Sequence, residues 1–350
     1  MDEISTYLDH AATTPILPEA RAAMAEGFAI WANPSSPHAS GRKARAALED
    51  ARRRMAESLG WTGEVVFVSG ASEAIAIAVE RCSLNLSAVS PVEHDAVLRH
   101  AEGVRRLPVD ACGRVDPEAA ATGGLVAVQH ANSETGVLQP VAGIADTVRA
   151  TGGLLLADCS QSAGKTALPD ADMIALSAHK FGGPIGIGAL LVRDGAMLKP
   201  SGGQERGYRA GTENLPGAMA MAAALEAGSE WMDEAGRLRQ LLEREVVPLG
   251  GEVVASDAER IPTIGAIRMP GMAAAVQLIR FDAAGIAVSA GSACSSGSLR
   301  TSHVLAAMGI DGNSASETIR VSIGRETGED DIARFLETWK DIAAGRRAAA

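Results

Sequence analysis

Residues 154–165 read LLLADCSQSAGK, and residues 173–184 read MIALSAHKFGGP. In the first stretch the apolar run 154–157 ends on a carboxylate, Asp158, with Gln161 shortly after it. In the second, the apolar run 173–176 ends on Ser177, Ala178, His179 and Lys180. Short, continuous apolar runs bounded by turn residues suit strands buried on both faces. Two such strands lying side by side would bring an acid and a lysine to one edge of a sheet. A lysine at the mouth of a buried strand is costly to keep charged, because desolvation favours the neutral amine. A neutral amine in an apolar cleft can form a Schiff base with a carbonyl. Taken singly, an Asp and a Lys that merely cap ordinary strands explain either residue. The two segments together argue for chemistry.

Working outward, residues 41–58 (GRKARAALEDARRRMAES) carry apolar side chains at helical spacing, with charges between them. The β-branched run 65–68 predicts a strand, followed by Ser69-Gly70 and a helix-like ASEAIAIAVE. Further strands are expected at 125–128, 154–157, 173–176 and 189–192, with helical stretches such as 143–150 between several of them. Strands alternating with helices imply the α/β class: a mostly parallel central sheet covered by helices. A long Ala/Leu/Glu/Arg helix pattern spans 216–246, and beyond it come shorter strands (AIRM, IAVSA) and closing helices near 302–308 and 328–344. The expected organisation is a large domain at 15–248. A smaller α+β domain would comprise 1–14 and 249–350.

Composition narrows the function. The chain has 350 residues, of which 47% are apolar and only 3% aromatic, so Ala, Leu, Val and Ile must fill the core. Its formal charge is −11, from 32 basic and 43 acidic residues, which argues against a nucleic-acid backbone as partner. The longest apolar run, 217–225, is far short of the ~20 residues of a membrane span. The N-terminus MDEISTYLDH is acidic and does not read as a signal peptide. Cys82, Cys112, Cys159 and Cys294 lie at unrelated spacings that suit neither a disulfide framework nor a metal site. A cytoplasmic protein without membrane attachment is expected.

Pyridoxal 5′-phosphate supplies the carbonyl that Lys180 could capture, and its ring nitrogen calls for a carboxylate such as Asp158 to keep it protonated. The segment Ser69-Gly70-Ala71-Ser72-Glu73 ends a strand, turns sharply and opens a helix, an arrangement whose free N–H groups favour an anion. Ser72 could equally be an ordinary helix cap.

D-x-x-Q followed by S-x-H-K-x-x-G-P resembles the cofactor region of class V pyridoxal phosphate enzymes, the cysteine desulfurases in particular. The resemblance runs from YLDHAATTP at 7–15 to IRVSIGR at 319–325. It implies the fold type I architecture, with the N-terminal strand region packed on the C-terminal small domain. It also implies that Ala71, Ser72, Ser177 and His179 hold the cofactor phosphate, that Asp158 pairs with the ring nitrogen, and that Gln161 donates to the phenolic oxygen. Thr212, in GYRAGT at 207–212, matches a segment that reaches the phosphate from the other subunit, hence a homodimer. His94, in SPVEHDAVL, matches a residue that stacks on the ring and moves protons, tasks an imidazole suits; a lone histidine is otherwise usually structural. The family pattern H-x-N-N-E-T-G is here His130-Ala131-Asn132-Ser133-Glu134-Thr135-Gly136. Asn132 is expected near the substrate. Ser133 replaces an asparagine near cofactor and substrate, and its hydroxyl is shorter with a single donor.

Cys294 lies in AVSAGSACSSGSLRTSHV, whose Gly, Ala and Ser neighbours cannot pack a core and suggest an exposed, flexible loop. The loop is similar to that of the NifS/IscS-like branch, whose cysteine is the nucleophile. Arg320, among apolar neighbours in ETIRVSIGR, needs a carboxylate, either the α-carboxylate of an amino-acid substrate or an internal partner. The resemblance favours the substrate and leaves Arg325 structural. The implied reaction is L-cysteine to L-alanine: Lys180 moves protons at the α-carbon and the Cys294 thiolate takes the sulfur as a persulfide. The acceptor would be an iron–sulfur scaffold or another sulfur carrier. A selenocysteine lyase, another class V enzyme or a non-catalytic paralogue are the alternatives.

Overall fold

The computed structural model describes residues 6–291 and 302–349, the last four of these as backbone only. A two-residue strand, β1 (Thr6–Tyr7), precedes a seven-stranded sheet built from β2 (Glu64–Val68), β3 (Leu86–Val89), β4 (Arg105–Arg106), β5 (Leu125–Gln129), β6 (Leu154–Asp158), β7 (Met173–Ser177) and β8 (Gly188–Val192). Their spatial order is β2-β8-β7-β6-β5-β3-β4. Only β8 runs against its neighbours; β7, β6, β5, β3 and β4 pair in parallel. Strands β5, β6, β7 and β8 are buried along their whole length or nearly so, as continuous apolar runs in a doubly covered sheet must be.

Helices cover both faces. They are α1 (Pro18–Ile30), α2 (Ala39–Leu59), α3 (Ala71–Arg81), the single turn α4 (Asp95–Leu98), α5 (Val141–Ala150) and α6 (Leu215–Glu226). Helix α6 is LPGAMAMAAALE, apolar on every side, and it is correspondingly buried around its circumference between α1, α2 and the sheet.

The expected single helix across 216–246 is in fact two. Helix α6 ends at Glu226, and α7 (Met232–Val246) starts afresh after a turn in which Gly228 has φ +75°. Glycine takes that left-handed conformation without a Cβ clash, whereas the Ala/Leu/Glu pattern on either side conceals the break. Beyond α7 lie β9 (Glu252–Val253), β10 (Ile264–Arg268), α8 (Ala274–Ala283), β11 (Ile286–Ala287), α9 (His303–Ala307), α10 (Gly312–Ser316), β12 (Thr318–Ser322) and α11 (Glu329–Ala349). Strands β12, β10 and β9 form an antiparallel sheet, and β1 pairs in parallel with β11.

A second core gathers Leu8 from the N-terminus, Leu238, Leu242 and Val246 from α7, Ile319 and Val321 from β12, and Phe281, Phe335 and Trp339. The rings of Phe281 and Phe335 stack with centroids 4.8 Å apart. Because α7 gives its apolar face to this core, we propose that the small domain begins at the turn before α7 and again includes the N-terminal segment.

The parallel ladder aligns Gln129 with Asp158 and Asp158 with Ala175, and the antiparallel one aligns Ser177 with Gly188. The strand ends therefore open into one crevice, the usual ligand position in open α/β sheets. A Cβ on Gly188 would lie 2.5 Å from Leu176 O and 2.6 Å from Gly70 Cα, so this glycine lets the turn before α3 approach the sheet. Gly188→Ala is expected to lower the unfolding free energy by about 1–3 kcal/mol as the backbone moves apart. Denaturant titration measures it, and an unchanged midpoint would show that the turn yields freely.

Candidate active site

The crevice is a cavity of about 620 Å³. Ala71, Ser72, His94, Ser133, Asp158, Gln161, Ser177, His179, Lys180 and Arg320 all line it. Asn132 and Thr212 do not.

Lys180 sits at the end of a single helical turn after β7. Its Nζ donates to Ala11 O at 2.7 Å and Ala12 O at 2.8 Å. Burial, reinforced by the Arg320 charge, pulls its pKa from 10.5 down to about 8, while Asp158 and Asp9 oppose the shift. This is the amine the sequence calls for: desolvated enough to lose its proton near neutrality. Asp158, at the end of β6, accepts from Ser160 N at 2.9 Å and Ser160 Oγ at 2.5 Å, both through Oδ1. Its Oδ2 has no protein partner among the described residues. Gln161 donates through Nε2 to Ala11 O at 3.0 Å, and its buried Oε1 is unpartnered.

At the other end of the crevice, helix α3 presents the free N–H groups of its first turn beside Ser72. Ser177 Oγ lies close to Gly70, and His179 hydrogen-bonds Thr13 Oγ1 at 3.2 Å. Burial and the Lys180 charge lower the His179 pKa to about 4, which leaves a neutral ring. Glu73 does not add its charge to the cradle unopposed: it accepts from Ser69 N at 2.5 Å and pairs with Arg209 at 2.9 Å. A group bearing a phosphate, a ring nitrogen and a carbonyl carbon fits these residues: an anion cradle, an unpaired carboxylate oxygen and a depressed lysine in one cavity. The orphaned Gln161 Oε1 and Asp158 Oδ2 are two of the polar atoms left unsatisfied there among the described residues.

Arg320 is held from two sides. Nη2 pairs with Asp9 Oδ1 at 2.9 Å and Nη1 donates to Ser133 O at 3.0 Å, while the buried Nε has no partner. The internal ion pair and the cavity-facing guanidinium thus coexist. Arg325 instead donates to Gly228 O at 2.6 Å and lies over the Trp231 ring.

Asn132 does not line the cavity. This side chain is buried, donates to Val92 O at 3.1 Å, and accepts from Glu134 N and Thr135 N at 2.9 Å each. Its oxygen is spent on the turn 132–136 and one amide N–H on Val92 O, while the second N–H has no partner among the described residues. Thr212 is exposed on the segment after β8, outside this chain's own cavity. Cys294 lies outside the described residues. Of the other cysteines, Cys159 is buried beneath Asp158 with its thiol pushed far up by burial, and Cys82 is raised likewise.

Sequence reasoning missed Asp9, Glu93 and His303, all on the cavity wall. Asp9 was visible only as one letter of YLDHAATTP, and its pairing with Arg320 spans 311 residues. Glu93 is fully buried, with Oε1 accepting from Gln129 N at 2.6 Å and Oε2 unpartnered.

The family model described as aminotransferase class-V matches residues 6–335. The chain belongs to the class V aminotransferase family. Within it, a cysteine desulfurase from Cereibacter sphaeroides is 37% identical over 98% of this chain and 96% of its own length. The protein named cysteine desulfurase IscS 1 from Archaeoglobus fulgidus is 35% identical over 96% of both chains. Among solved structures, a NifS-like protein from Rickettsia africae superposes with a TM-score of 0.89 at 29% identity, over 96% of this class V chain and 99% of its own. A structure titled SspA in complex with cysteine gives a TM-score of 0.79 at 28% identity, over 91% of this chain and 99% of that one.

Acylation of the Lys180 amine in cofactor-free protein, followed by mass spectrometry across pH, should rise with a midpoint near 8. Arg320→Ala should move the midpoint up, because a neighbouring cation is lost, and Asp158→Asn should move it down. A midpoint near the free lysine value of about 10.4 would contradict the depressed amine.

Proposed function

We propose that this class V chain is a cysteine desulfurase, converting L-cysteine to L-alanine and passing the sulfur to an enzyme thiol as a persulfide. The observation that carries the reading is one cavity in which the depressed amine of Lys180 faces Asp158 Oδ2 and the guanidinium of Arg320. Its curated relatives bear that activity in their names.

Pyridoxal 5′-phosphate, when bound, supplies an electron sink for the charge that develops on the substrate's α-carbon. Lys180 would hold its carbonyl carbon, Asp158 Oδ2 its ring nitrogen, and the α3 N-terminus with Ser72, Ser177 and His179 its phosphate. Gln161 keeps one amide N–H beyond the bond to Ala11, which suits the phenolic oxygen. The flat ring of His94 supports the stacking role. Arg320 binds the substrate α-carboxylate, with Asp9 fixing the fork and Ser133 lending its carbonyl to the same guanidinium. Once released, the Lys180 amine takes and returns a proton at the α-carbon, its pKa of about 8 making both directions accessible. The thiolate of Cys294 attacks the substrate sulfur, the carbon–sulfur bond breaks, and the sulfur stays on the enzyme.

Thr212 supports a homodimer: it is exposed and absent from its own chain's cavity, as a residue serving a second copy's phosphate should be. The acceptor of the sulfur is an iron–sulfur scaffold or another sulfur carrier, a reading supported by the IscS name among the relatives. No helix among the described residues is long and apolar enough to cross a membrane, and the net charge is −11. Both support a cytoplasmic setting away from lipid and nucleic acid.

The test is incubation with L-cysteine and a reducing thiol, followed by measurement of alanine and sulfide in equal amounts. Lys180→Ala should abolish alanine formation, and Asp158→Asn should reduce it by orders of magnitude while leaving the fold intact. Cys294→Ala should keep the visible absorbance of the cofactor and its change on adding cysteine, yet lose alanine production. Full alanine production by Cys294→Ala would turn the reading toward a lyase that releases sulfur without an enzyme thiol.

A further inference from the structure

Two imidazoles border the cavity on either side of Glu93, and the backbone fixes them in opposite hydrogen-bonding senses. His94 is the residue before α4, and its Nδ1 accepts from Ala96 N at 3.1 Å. An amide N–H can only donate, so Nδ1 carries the lone pair and the neutral ring bears its proton on Nε2. Burial lowers the His94 pKa, with Lys180 adding to the shift and Asp158 opposing it, so the neutral form is favoured. Held this way, His94 offers the cavity an N–H and no free lone pair. His303 is the reverse. Its Nε2 lies 2.8 Å from Glu93 O, and a carbonyl can only accept, so Nε2 carries the proton. The lone pair of the neutral ring then sits on Nδ1, which has no partner among the described residues.

The packing makes this placement firm. Val304 and Leu305 of α9 bury against Val92, next to Glu93. Ser302 Oγ donates to Glu134 Oε2 at 2.5 Å and accepts from Leu305 N at 3.0 Å, pinning the start of the helix. Glu93 is itself locked by Gln129 N. The ring of His303 is exposed on the cavity rim, and both it and Arg320 act electrostatically on the buried Glu134 carboxyl.

We propose that His303 is a second catalytic imidazole, the base that takes the proton of the substrate's thiol in this cavity. This rests on the desulfurase reading. The S–H bond breaks with its electron pair left on sulfur, an Nδ1–H bond forms, and the ring becomes imidazolium. After the carbon–sulfur bond has broken, the imidazolium returns that proton to the carbon the sulfur has left, which completes the methyl group of alanine. No further reactant is consumed.

His303→Gln keeps an amide N–H for Glu93 O but removes the basic nitrogen. In the cofactor-loaded protein, single-turnover alanine formation should fall about 10²–10⁴-fold, the usual contribution of a positioned base. The affinity for L-cysteine, read from the spectral change, should remain within a few-fold of wild type, and the low-pH fall in the wild-type rate should vanish from the variant's profile. Added imidazole should restore part of the rate in His303→Ala. Alkylation of Cys294 by iodoacetamide without substrate should proceed equally in His303→Gln and wild type, and slower alkylation of the variant would overturn the assignment to the substrate's thiol. Unchanged turnover with an unchanged pH profile overturns the proposal, as does a loss matched by equally weakened cysteine binding with no rescue by imidazole. Absence of alanine from the wild-type protein would instead defeat the desulfurase reading itself.

Discussion

The Lys180 amine is tied to the carbonyls of Ala11 and Ala12, and the turn that offers those carbonyls is stitched to both the large and the small sheet where they meet at the cavity. Ala11 N donates to Ser322 Oγ on β12, Gln161 donates to Ala11 O from the end of β6, Thr14 N donates to His179 O, and Asp9 pairs with Arg320. The lysine comes from the large sheet and the arginine from the small one. Their separation is set by a short piece of chain belonging to neither, whose neighbour β1 is held by β11. Backbone hydrogen bonds suit this task because they constrain position without adding charge to a cavity already crowded with it.

That crowding has an order. Lys180 and Arg320 are cations, Asp158 and Asp9 anions, and each cation lies within reach of both the other cation and an anion. Two cations in a partly buried site repel, and the weaker base yields: a guanidinium keeps its proton at any ordinary pH, so the amine gives up its own. Arg320 therefore does more than hold a carboxylate, because its charge helps to make Lys180 reactive. Lys165, buried deeper, is pushed further in the same direction, to about 7, by burial and by Lys180. The Asp9 pair limits the cost of keeping Arg320 charged at the cavity wall. Removing one partner of such a pair strands the other without compensation, which is more damaging than never having built it.

The imidazoles extend the same logic from charge to direction. His94 and His303 each spend one ring nitrogen on a backbone partner, so what each offers the cavity follows from whether that partner donates or accepts. A backbone amide makes one ring a donor, and a backbone carbonyl makes another an acceptor.

Local chemistry determined a good deal from sequence alone. The buried runs ending at Asp158 and Ser177 had to be strands in a covered sheet, since nothing else accommodates such continuous apolar segments of that length between turns. With the strands came their ends, and with the ends Lys180, Asp158 and the anion cradle at Ala71 and Ser72. The break at Gly228 was hidden because flanking helix-forming residues outweigh one glycine in any periodic reading. Asn132 sits behind the cavity wall with its amide oxygen holding its own turn, a competition that spacing does not reveal. Asp9, Glu93 and His303 were out of reach for a different reason. Each matters through a partner far away in the chain, and such pairings exist only once the two sheets and the N-terminal turn have closed on one another. Residue types and strand ends are properties of the chain; tautomers, ion pairs and a depressed lysine are properties of the assembled cavity.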